Sequence, residues 1–396
     1  MGVNRLAILG STGSVGVSTL QVIEGNPGFE VIALSAHQNT RLLLQQCIQF
    51  QPRFVVLSDE SLKDSFAAEL KQQNCRAELL VGASSLELVA AHDDVDTVMA
   101  AIVGAAGLAS SLAAAEAGKK LLLANKESLV MSGKLFMDAV ERGGASIVPI
   151  DSEHNAIFQC LPERERSTAL DSSQQIDKLV LTASGGPFLE LNSEEMASVT
   201  PEQACKHPQW SMGRKISVDS ATMMNKGLEI IEACYLFGIS AANVEVLVHP
   251  QSIIHSMVYY RDGSVLAQMG NPDMRTPIAH GLAYPERING GVKSLDLAEI
   301  GSLSFQKPDL DRFPCLRLGR LAAEQGGTIP TVLNAANEVA VAAFLQGELG
   351  FDKIPLIIEE LMTKTPCEEA ASLAIIRDAD EKARSLAKQL ILKKYN

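Results

Sequence analysis

Asp151-Ser152-Glu153 closes an apolar strand, and further along the chain runs Ser220-Ala221-Thr222-Met223-Met224-Asn225-Lys226-Gly227-Leu228-Glu229. In extended backbone Asp151 and Glu153 place both carboxylates on one side. With a third acid, Glu229, they suit Mg2+ or Mn2+, hard cations that take oxygen ligands and keep positions open for substrate or water. On a helix starting near Asn225, Asn225 and Lys226 stand four and three residues before Glu229, so all three share one polar face. Leu228, Ile231 and Tyr235 then turn toward a core. Ser220 adds a hydroxyl, and a helix N-terminus favours phosphate. Alone, the first segment is a solvated turn or cap and the second an amphipathic helix with an internal Lys-Glu pair. Together they equip the chain to hold a divalent ion beside a phosphorylated polyol.

Further segments gain little as inert structure. Ala183-Ser184-Gly185-Gly186-Pro187 follows a strand with small residues that expose backbone N–H groups. Lys206-His207-Pro208-Gln209-Trp210-Ser211-Met212-Gly213 sets the single tryptophan in a loop bounded by Pro and Gly, which fits a lid that packs on ligand. Ser252 and His255, after Val248-His249-Pro250, follow a strand on the same loop-bearing face.

The N-terminus carries a different chemistry. Gly10-Ser11-Thr12-Gly13-Ser14-Val15-Gly16 lies between strand Leu6 to Leu9 and a helical segment. Glycines there allow a tight turn and close approach of backbone to a pyrophosphate, with the helix N-terminus behind it. An NAD site should end its second strand in an acid that bonds the ribose 2'-hydroxyl. Here the strand ends Leu34-Ser35-Ala36-His37-Gln38-Asn39-Thr40-Arg41 without one, so NADP is favoured, its 2'-phosphate partly neutralised by Arg41 or His37.

The elements that must position these groups fall into three textures. Residues 1 to 150 alternate apolar β-rich runs with helical segments, as a parallel α/β sheet requires. Residues 151 to 285 mix strands (Leu179 to Thr182, Lys215 to Val218, Val244 to Val248) with loops rich in Gly, Pro, Ser and His, and a hairpin turns at Asp262-Gly263. Residues 286 to 311 read as an extended linker. From 312 to 396 the pattern is helical, and Thr365-Pro366-Cys367-Glu368 supplies a capping box for the last helix.

With 34 Lys and Arg against 47 Asp and Glu, the formal charge of -13 argues against general nucleic-acid or membrane binding, so a phosphate must meet local positive potential. Ala100 to Ala117, apolar but broken by Gly104 and Gly107, reads as strand and close-packed helix and not as a membrane span. Seven scattered cysteines give neither a disulfide framework nor a zinc pattern, and the opening residues lack the features of a signal peptide. A reducing cytoplasm is expected.

Seven ordered motifs resemble the 1-deoxy-D-xylulose 5-phosphate reductoisomerase family over essentially the whole chain. They are Gly10 to Gly16, Leu123-Ala-Asn-Lys-Glu-Ser-Leu129, Pro149-Ile-Asp-Ser-Glu-His-Asn155, Ala183-Ser-Gly-Gly-Pro-Phe188, His207-Pro-Gln-Trp-Ser-Met-Gly213, Asp219 to Glu229, and Asn334-Ala-Ala-Asn-Glu338. The resemblance implies an N-terminal Rossmann-type parallel sheet, a central α+β catalytic domain with a flap, a C-terminal α-helical bundle, and a homodimer. It implies that Gly10, Thr12, Gly13, Ser14, Val15, His37, Gln38, Asn39, Asn125, Glu127 and Gly213 line the NADPH site. Asp151, Glu153 and Glu229 would hold Mg2+, Mn2+ or Co2+. Lys126, Ser152, Glu153, Ser184, His207, Trp210, Ser220, Asn225, Lys226, Glu229, Ser252 and His255 would meet a sugar phosphate, with Lys126 and the three acids catalytic. At Ala36-His37-Gln38-Asn39 the chain has His and Gln where family members often have Gly and a basic residue. The implied reaction converts 1-deoxy-D-xylulose 5-phosphate to 2-C-methyl-D-erythritol 4-phosphate. The rival expectations are a semialdehyde-type NADP dehydrogenase, which needs a thiolate nucleophile, and a non-enzymatic NADP sensor, which needs no metal acids.

Overall fold

The computed structural model describes residues 3–162, 175–210 and 212–394. Two compact units divide the chain. The first comprises residues 1–128, 136–155 and 273–293, the second 129–135, 156–272 and 294–396.

The first unit is built on one parallel sheet of seven strands: β1 (Asn4–Leu9), β2 (Phe29–Ala36), β3 (Phe54–Leu57), β4 (Glu78–Val81), β5 (Thr97–Ala100), β6 (Lys120–Leu123) and β7 (Ser146–Pro149). Successive residues Leu6, Ala7, Ile8 and Leu9 are all at most 1% exposed. Because neighbours on a strand face opposite sides, both faces of the sheet are covered, which is why its strands are unbroken apolar runs. Helices alternate with the strands: α1 (Ser14–Glu24), α2 (Thr40–Phe50), α3 (Lys63–Gln72), α4 (Ala83–Ala91), α5 (Leu108–Glu116), α6 (Lys126–Gly143) and α7 (Ser152–Cys160), with residues 129–135 of α6 and 156–160 of α7 counted in the second unit. The strand order is β4-β3-β2-β1-β5-β6-β7, so the winding reverses between β1 and β5. At such a reversal the loops leave the carboxyl ends in opposite directions and open a ligand crevice.

The second unit holds a mixed sheet in the order β11-β10-β8-β9, formed by β8 (Ile176–Ala183), β9 (Val244–Val248), β10 (Ile254–Tyr260) and β11 (Val265–Met269). β8 and β9 are parallel, and the other pairs antiparallel. The β10–β11 turn is the expected one: Gly263 has φ +88°, and the Ser264 N–H donates to Asp262 Oδ1 at 2.9 Å. Around this sheet lie α8 (Ser193–Ala197), α9 (Pro201–Ala204), α10 (Arg214–Ala221) and α11 (Met224–Phe237). After α12 (Arg275–Ala283), which belongs to the first unit, come α13 (Leu297–Ile300), α14 (Pro314–Gln325), α15 (Ile329–Leu345), α16 (Ile354–Lys364) and α17 (Leu373–Lys394). α11 meets α14 in backbone contact, a Cβ built on Gly319 lying 2.2 Å from the Gly227 Cα. No helix of the described residues is long and apolar enough to cross a membrane.

Three local expectations are corrected. Lys215 to Val218 is helix α10 and not a strand, because Lys215 pairs with Asp219 four residues on and the Ser217 hydroxyl donates to the Gly213 carbonyl, both helical spacings. The last helix starts at Leu373, not at Thr365. The backbone of Glu368 is committed to Thr328, accepting its N–H at 2.9 Å and donating to its Oγ1 at 3.0 Å, and Ser372 caps the helix instead. Asp151-Ser152-Glu153 is not extended: Ser152 opens α7, and the Asn155 N–H bonds the Asp151 carbonyl at 2.8 Å.

Candidate active site

At the carboxyl end of β1, Gly10 has φ +83°, and a Cβ there would lie 2.8 Å from the Ala101 carbonyl oxygen. A Cβ on Gly16 would lie 2.4 Å from the Gly10 carbonyl oxygen and 2.5 Å from the Ser11 Cα. The turn and the first turn of α1 are thus packed backbone to backbone, and only glycine fits. Gly13 and Ser14 are exposed at the helix start, and Thr12 and Val15 are half-buried beside them. Two residues outside the motif fix the turn. Ser35 Oγ accepts the Gly10 N–H at 2.9 Å, while Gln46 accepts from Ser11 Oγ at 2.7 Å and donates to the Ser11 carbonyl at 2.8 Å. Sequence reading missed both. Ser35 ends the second strand and so was within reach, but Gln46 is 35 residues away and carries no local signal.

His37, Gln38 and Asn39 are exposed after β2. The Asn39 side chain caps α2, Gln38 Nε2 donates to Asp59 at 2.8 Å, and His37 Nδ1 pairs with Ser58 Oγ at 3.0 Å. Asn125 is fully engaged by the protein: its Oδ1 accepts from the Ser128 N–H and hydroxyl, each at 2.7 Å, and its Nδ2 donates to the Ile102 and Gly104 carbonyls. It therefore ties the loop after β5 to the start of α6.

α6 then delivers two buried charges, Lys126 and Glu127, in its first turn. Lys126 Nζ forms an ion pair with Asp151, at 7% and 11% side-chain exposure. Ser152 Oγ donates to Glu153 Oε2 at 2.5 Å. Lys126, Asp151, Ser152 and Glu153 all belong to the first unit.

The other polar groups belong to the second unit. α10 ends at Ala221, Met223 turns the corner with φ +59°, and α11 begins at Met224. Ser220 is thus in the last turn of one helix and Asn225 and Lys226 in the first turn of the next, at its positive dipole end. Glu229 is fully buried, its Oε1 accepting from Asn225 Nδ2 at 2.5 Å and its Oε2 from Lys226 Nζ at 2.6 Å. Leu228 and Ile231 are in the core as expected, and Tyr235 is half-buried. The glycines after β8 bring a second backbone to this corner: Gly186 has φ +68°, and a Cβ on it would lie 2.8 Å from the Ser220 carbonyl oxygen.

His207 joins this cluster through Ser184, with Nε2 and Oγ 2.8 Å apart. Its Nδ1 accepts the N–H groups of Gln209 and Trp210, so in the neutral ring Nε2 carries the proton and donates to the serine. Burial, and after it the charge of Lys226, hold its pKa down to about 4. The hydroxyl of Ser184 in turn accepts the Gly186 N–H at 3.2 Å. Trp210 is half-buried and not fully exposed; its ring centroid lies 6.0 Å from that of His255. His255 is buried at the start of β10, and burial holds its pKa down to about 4 as well, against hydrogen bonds to the backbone of Asn271 and Gly270. Ser252 is buried with φ +52°. Gly213 is exposed at the N-cap of α10, and Ser211 lies outside the described residues.

Burial pushes Cys47 and Cys315 up to about 12 and Cys234 up to about 11, the reverse of what a nucleophilic cysteine needs.

Comparison with known proteins gives a consistent match. Residues 6–133 match the family described as 1-deoxy-D-xylulose 5-phosphate reductoisomerase. Residues 147–237 match its C-terminal domain, and 269–386 match the DXP reductoisomerase C-terminal domain. The 1-deoxy-D-xylulose 5-phosphate reductoisomerase of Cellvibrio japonicus (strain Ueda107) is 57% identical over 389 residues, covering 98% of each chain. That of Paraburkholderia phytofirmans (strain DSM 17436 / LMG 22146 / PsJN) is 55% identical over 388 residues, covering 98% of this chain and 96% of its own. Among solved structures, a DOX-P reductoisomerase in complex with NADPH, fosmidomycin and magnesium superposes with a TM-score of 0.96 at 46% identity, covering 99% of this chain and all of its own. The enzyme from Zymomonas mobilis in complex with NADPH gives 0.90 at 46% identity, covering 98% and 99%.

Proposed function

The chain belongs to the 1-deoxy-D-xylulose 5-phosphate reductoisomerase family, and we propose from that premise which of its residues do the work. It is an NADPH-dependent, divalent-metal-dependent enzyme that rearranges 1-deoxy-D-xylulose 5-phosphate and reduces the product to 2-C-methyl-D-erythritol 4-phosphate. Residues 1–150 serve the cofactor, 151–285 the metal and substrate, 286–311 link, and 312–396 support.

Asp151, Glu153 and Glu229 are the oxygen donors for the ion. The fit is chemical: all three are carboxylates, and Glu229 is fully buried with its oxygens accepting from Asn225 and Lys226, an expensive arrangement that a structural helix does not require. When bound, the ion supplies Lewis-acid polarisation of the substrate carbonyl, and NADPH supplies the hydride.

The chain's own groups bind and orient. The glycine turn, closed against any side chain, receives the pyrophosphate, with Thr12, Gly13, Ser14 and Val15 around it. His37, Gln38 and Asn39 face the ribose, and Asn125, Glu127 and Gly213 complete the site. Ser184, Ser220, Asn225 and Lys226 grip the substrate phosphate, and His207 donates from Nε2 through Ser184. This grip, remote from the reacting carbons, orients them. Lys126 donates from Nζ to a substrate oxygen, and Ser152, Ser252 and His255 line the sugar.

The observation that carries this reading is the convergence in one unit of Ser184, His207, Ser220, Asn225 and Lys226 around the N-terminus of α11. The test is NADPH oxidation with 1-deoxy-D-xylulose 5-phosphate. Turnover is expected only with a divalent ion, and with NADPH strongly preferred to NADH. Turnover in chelator would remove the metal role, and equal kcat/KM for the two cofactors would remove residues 36–41 as a 2'-phosphate loop.

Residues 206–213 form the flap. Trp210 is the single tryptophan, so emission belongs to it alone. Substrate with metal and NADPH is expected to shift or quench that emission and slow proteolysis of the loop. If saturating ligands change neither, Trp210 is a fixed packing residue. The enzyme is expected to work in the cytoplasm as a homodimer; sedimentation of the purified chain as a monomer at micromolar concentration would oppose the dimer.

A further inference from the structure

Asp219 precedes the phosphate-site serine and is 1% exposed, a costly place for a carboxylate. Both its oxygens are held. Oδ2 pairs with Lys215 Nζ at 2.8 Å one turn back on α10, and Oδ1 accepts from Asn337 Nδ2 at 2.8 Å across from α15. Asn337 is fully buried, and its own Oδ1 receives no hydrogen bond from the described protein atoms. Flipping the amide would turn that oxygen against the carboxylate, so the orientation is dictated by Asp219. A buried amide that leaves half its capacity unused in order to hold one carboxylate is costly as packing, and an apolar side chain would be the cheaper filler.

What it holds is the corner between α10 and α11. The Asp219 carbonyl accepts the Thr222 hydroxyl at 3.2 Å, Thr222 Oγ1 accepts the Met224 N–H at 3.3 Å, and the Met223 N–H donates to the Ser220 carbonyl at 3.2 Å. The same Ser220 carbonyl is the surface on which Gly186 rests. Fixing Asp219 therefore fixes the direction of the Ser220 hydroxyl and the start of α11, where Asn225 and Lys226 stand.

We propose that Asn337, on the C-terminal helical bundle, is a positioning residue for substrate phosphate, acting through Asp219 on Ser220. This gives the Asn334 to Glu338 motif a task in the reaction, and it rests on the reading of Ser220 as a phosphate ligand.

The test is a double-mutant cycle on the full-length enzyme. Affinity for 1-deoxy-D-xylulose 5-phosphate is measured without NADPH, so that nothing turns over, and again as KM and kcat. Asn337→Leu is expected to weaken binding and raise KM about tenfold, with kcat and NADPH affinity changed far less. Added to Ser220→Ala it should bring little further loss. Competition by 1-deoxy-D-xylulose, which lacks the phosphate, should be unaffected by Asn337→Leu. If Asn337→Leu does not fold, Lys215→Met, which removes the other partner of Asp219 at a partly exposed position, should give the same pattern more weakly. Losses that multiply, or that are equal for the dephosphorylated sugar, would show that Asn337 serves only the fold and would overturn the proposal alone. No effect of Ser220→Ala by itself would remove the reading of Ser220 and the proposal with it.

Discussion

Asp151→Asn is expected to lower kcat on the order of a thousandfold or more while NADPH affinity stays near that of the unsubstituted enzyme. Asparagine has the same shape, so the backbone bond from Asn155 to the Asp151 carbonyl survives and α7 keeps its start. What disappears is one anionic oxygen donor and the ion pair with Lys126, whose ammonium group is nearly buried. The glycine turn is held by hydrogen bonds with Ser35 and Gln46 that the substitution leaves in place, which is why the cofactor should still bind. Breaking a nearly buried ion pair is destabilising, so a fall in Tm is expected alongside. Two causes are thereby mixed, and Mn2+ titration separates them: Asp151→Asn should weaken metal affinity, and Lys126→Met should not. Full-rate turnover of Asp151→Asn without any divalent ion would reduce Asp151 to a structural turn residue.

What the sequence makes legible follows the range of the interactions. The glycine turn and the Asp262-Gly263 hairpin are local: strand, turn chemistry and partner lie within a few residues, and both fold as read. The pairing of Asn225 and Lys226 with Glu229 is equally local, because the helical repeat alone sets it. Lys215 to Val218 shows where local signals mislead. The run is short and partly β-branched, and it folds as a helix in which Lys215 pairs with Asp219, whose other oxygen is held by Asn337, 118 residues away. The Thr365 capping box fails for a similar reason, since Glu368 is taken by Thr328, 40 residues away. Gln46 was invisible as a site-supporting residue because a lone buried amide has no period and no motif, whereas Asn337 stood in the Asn334 to Glu338 motif with nothing local to tell its task.

Gly16→Ala is expected to weaken NADPH binding by about a hundredfold or more, the larger effect of two substitutions in the same turn. The added Cβ would sit 2.4 Å from the Gly10 carbonyl oxygen and 2.7 Å from the Ser11 carbonyl carbon. These neighbours are backbone, pinned by Ser35 and Gln46, so no flexible side chain can yield. Either α1 moves off the turn or the turn opens, and both spoil the N–H groups aimed at the pyrophosphate. Gly13→Ala is the control. Its Cβ would meet the Gly10 carbonyl oxygen at 3.4 Å, an ordinary contact, so the protein accepts it and any loss of affinity reports the ligand's own need for room. Equilibrium binding of NADPH by fluorescence, with thermal melts of both variants, checks the pair. Gly13→Ala should melt near the unsubstituted enzyme, and Gly16→Ala several degrees lower. If Gly16→Ala binds NADPH normally, close packing at residue 16 is not what shapes the pyrophosphate site, and the turn must accept its ligand through Thr12 to Val15 alone.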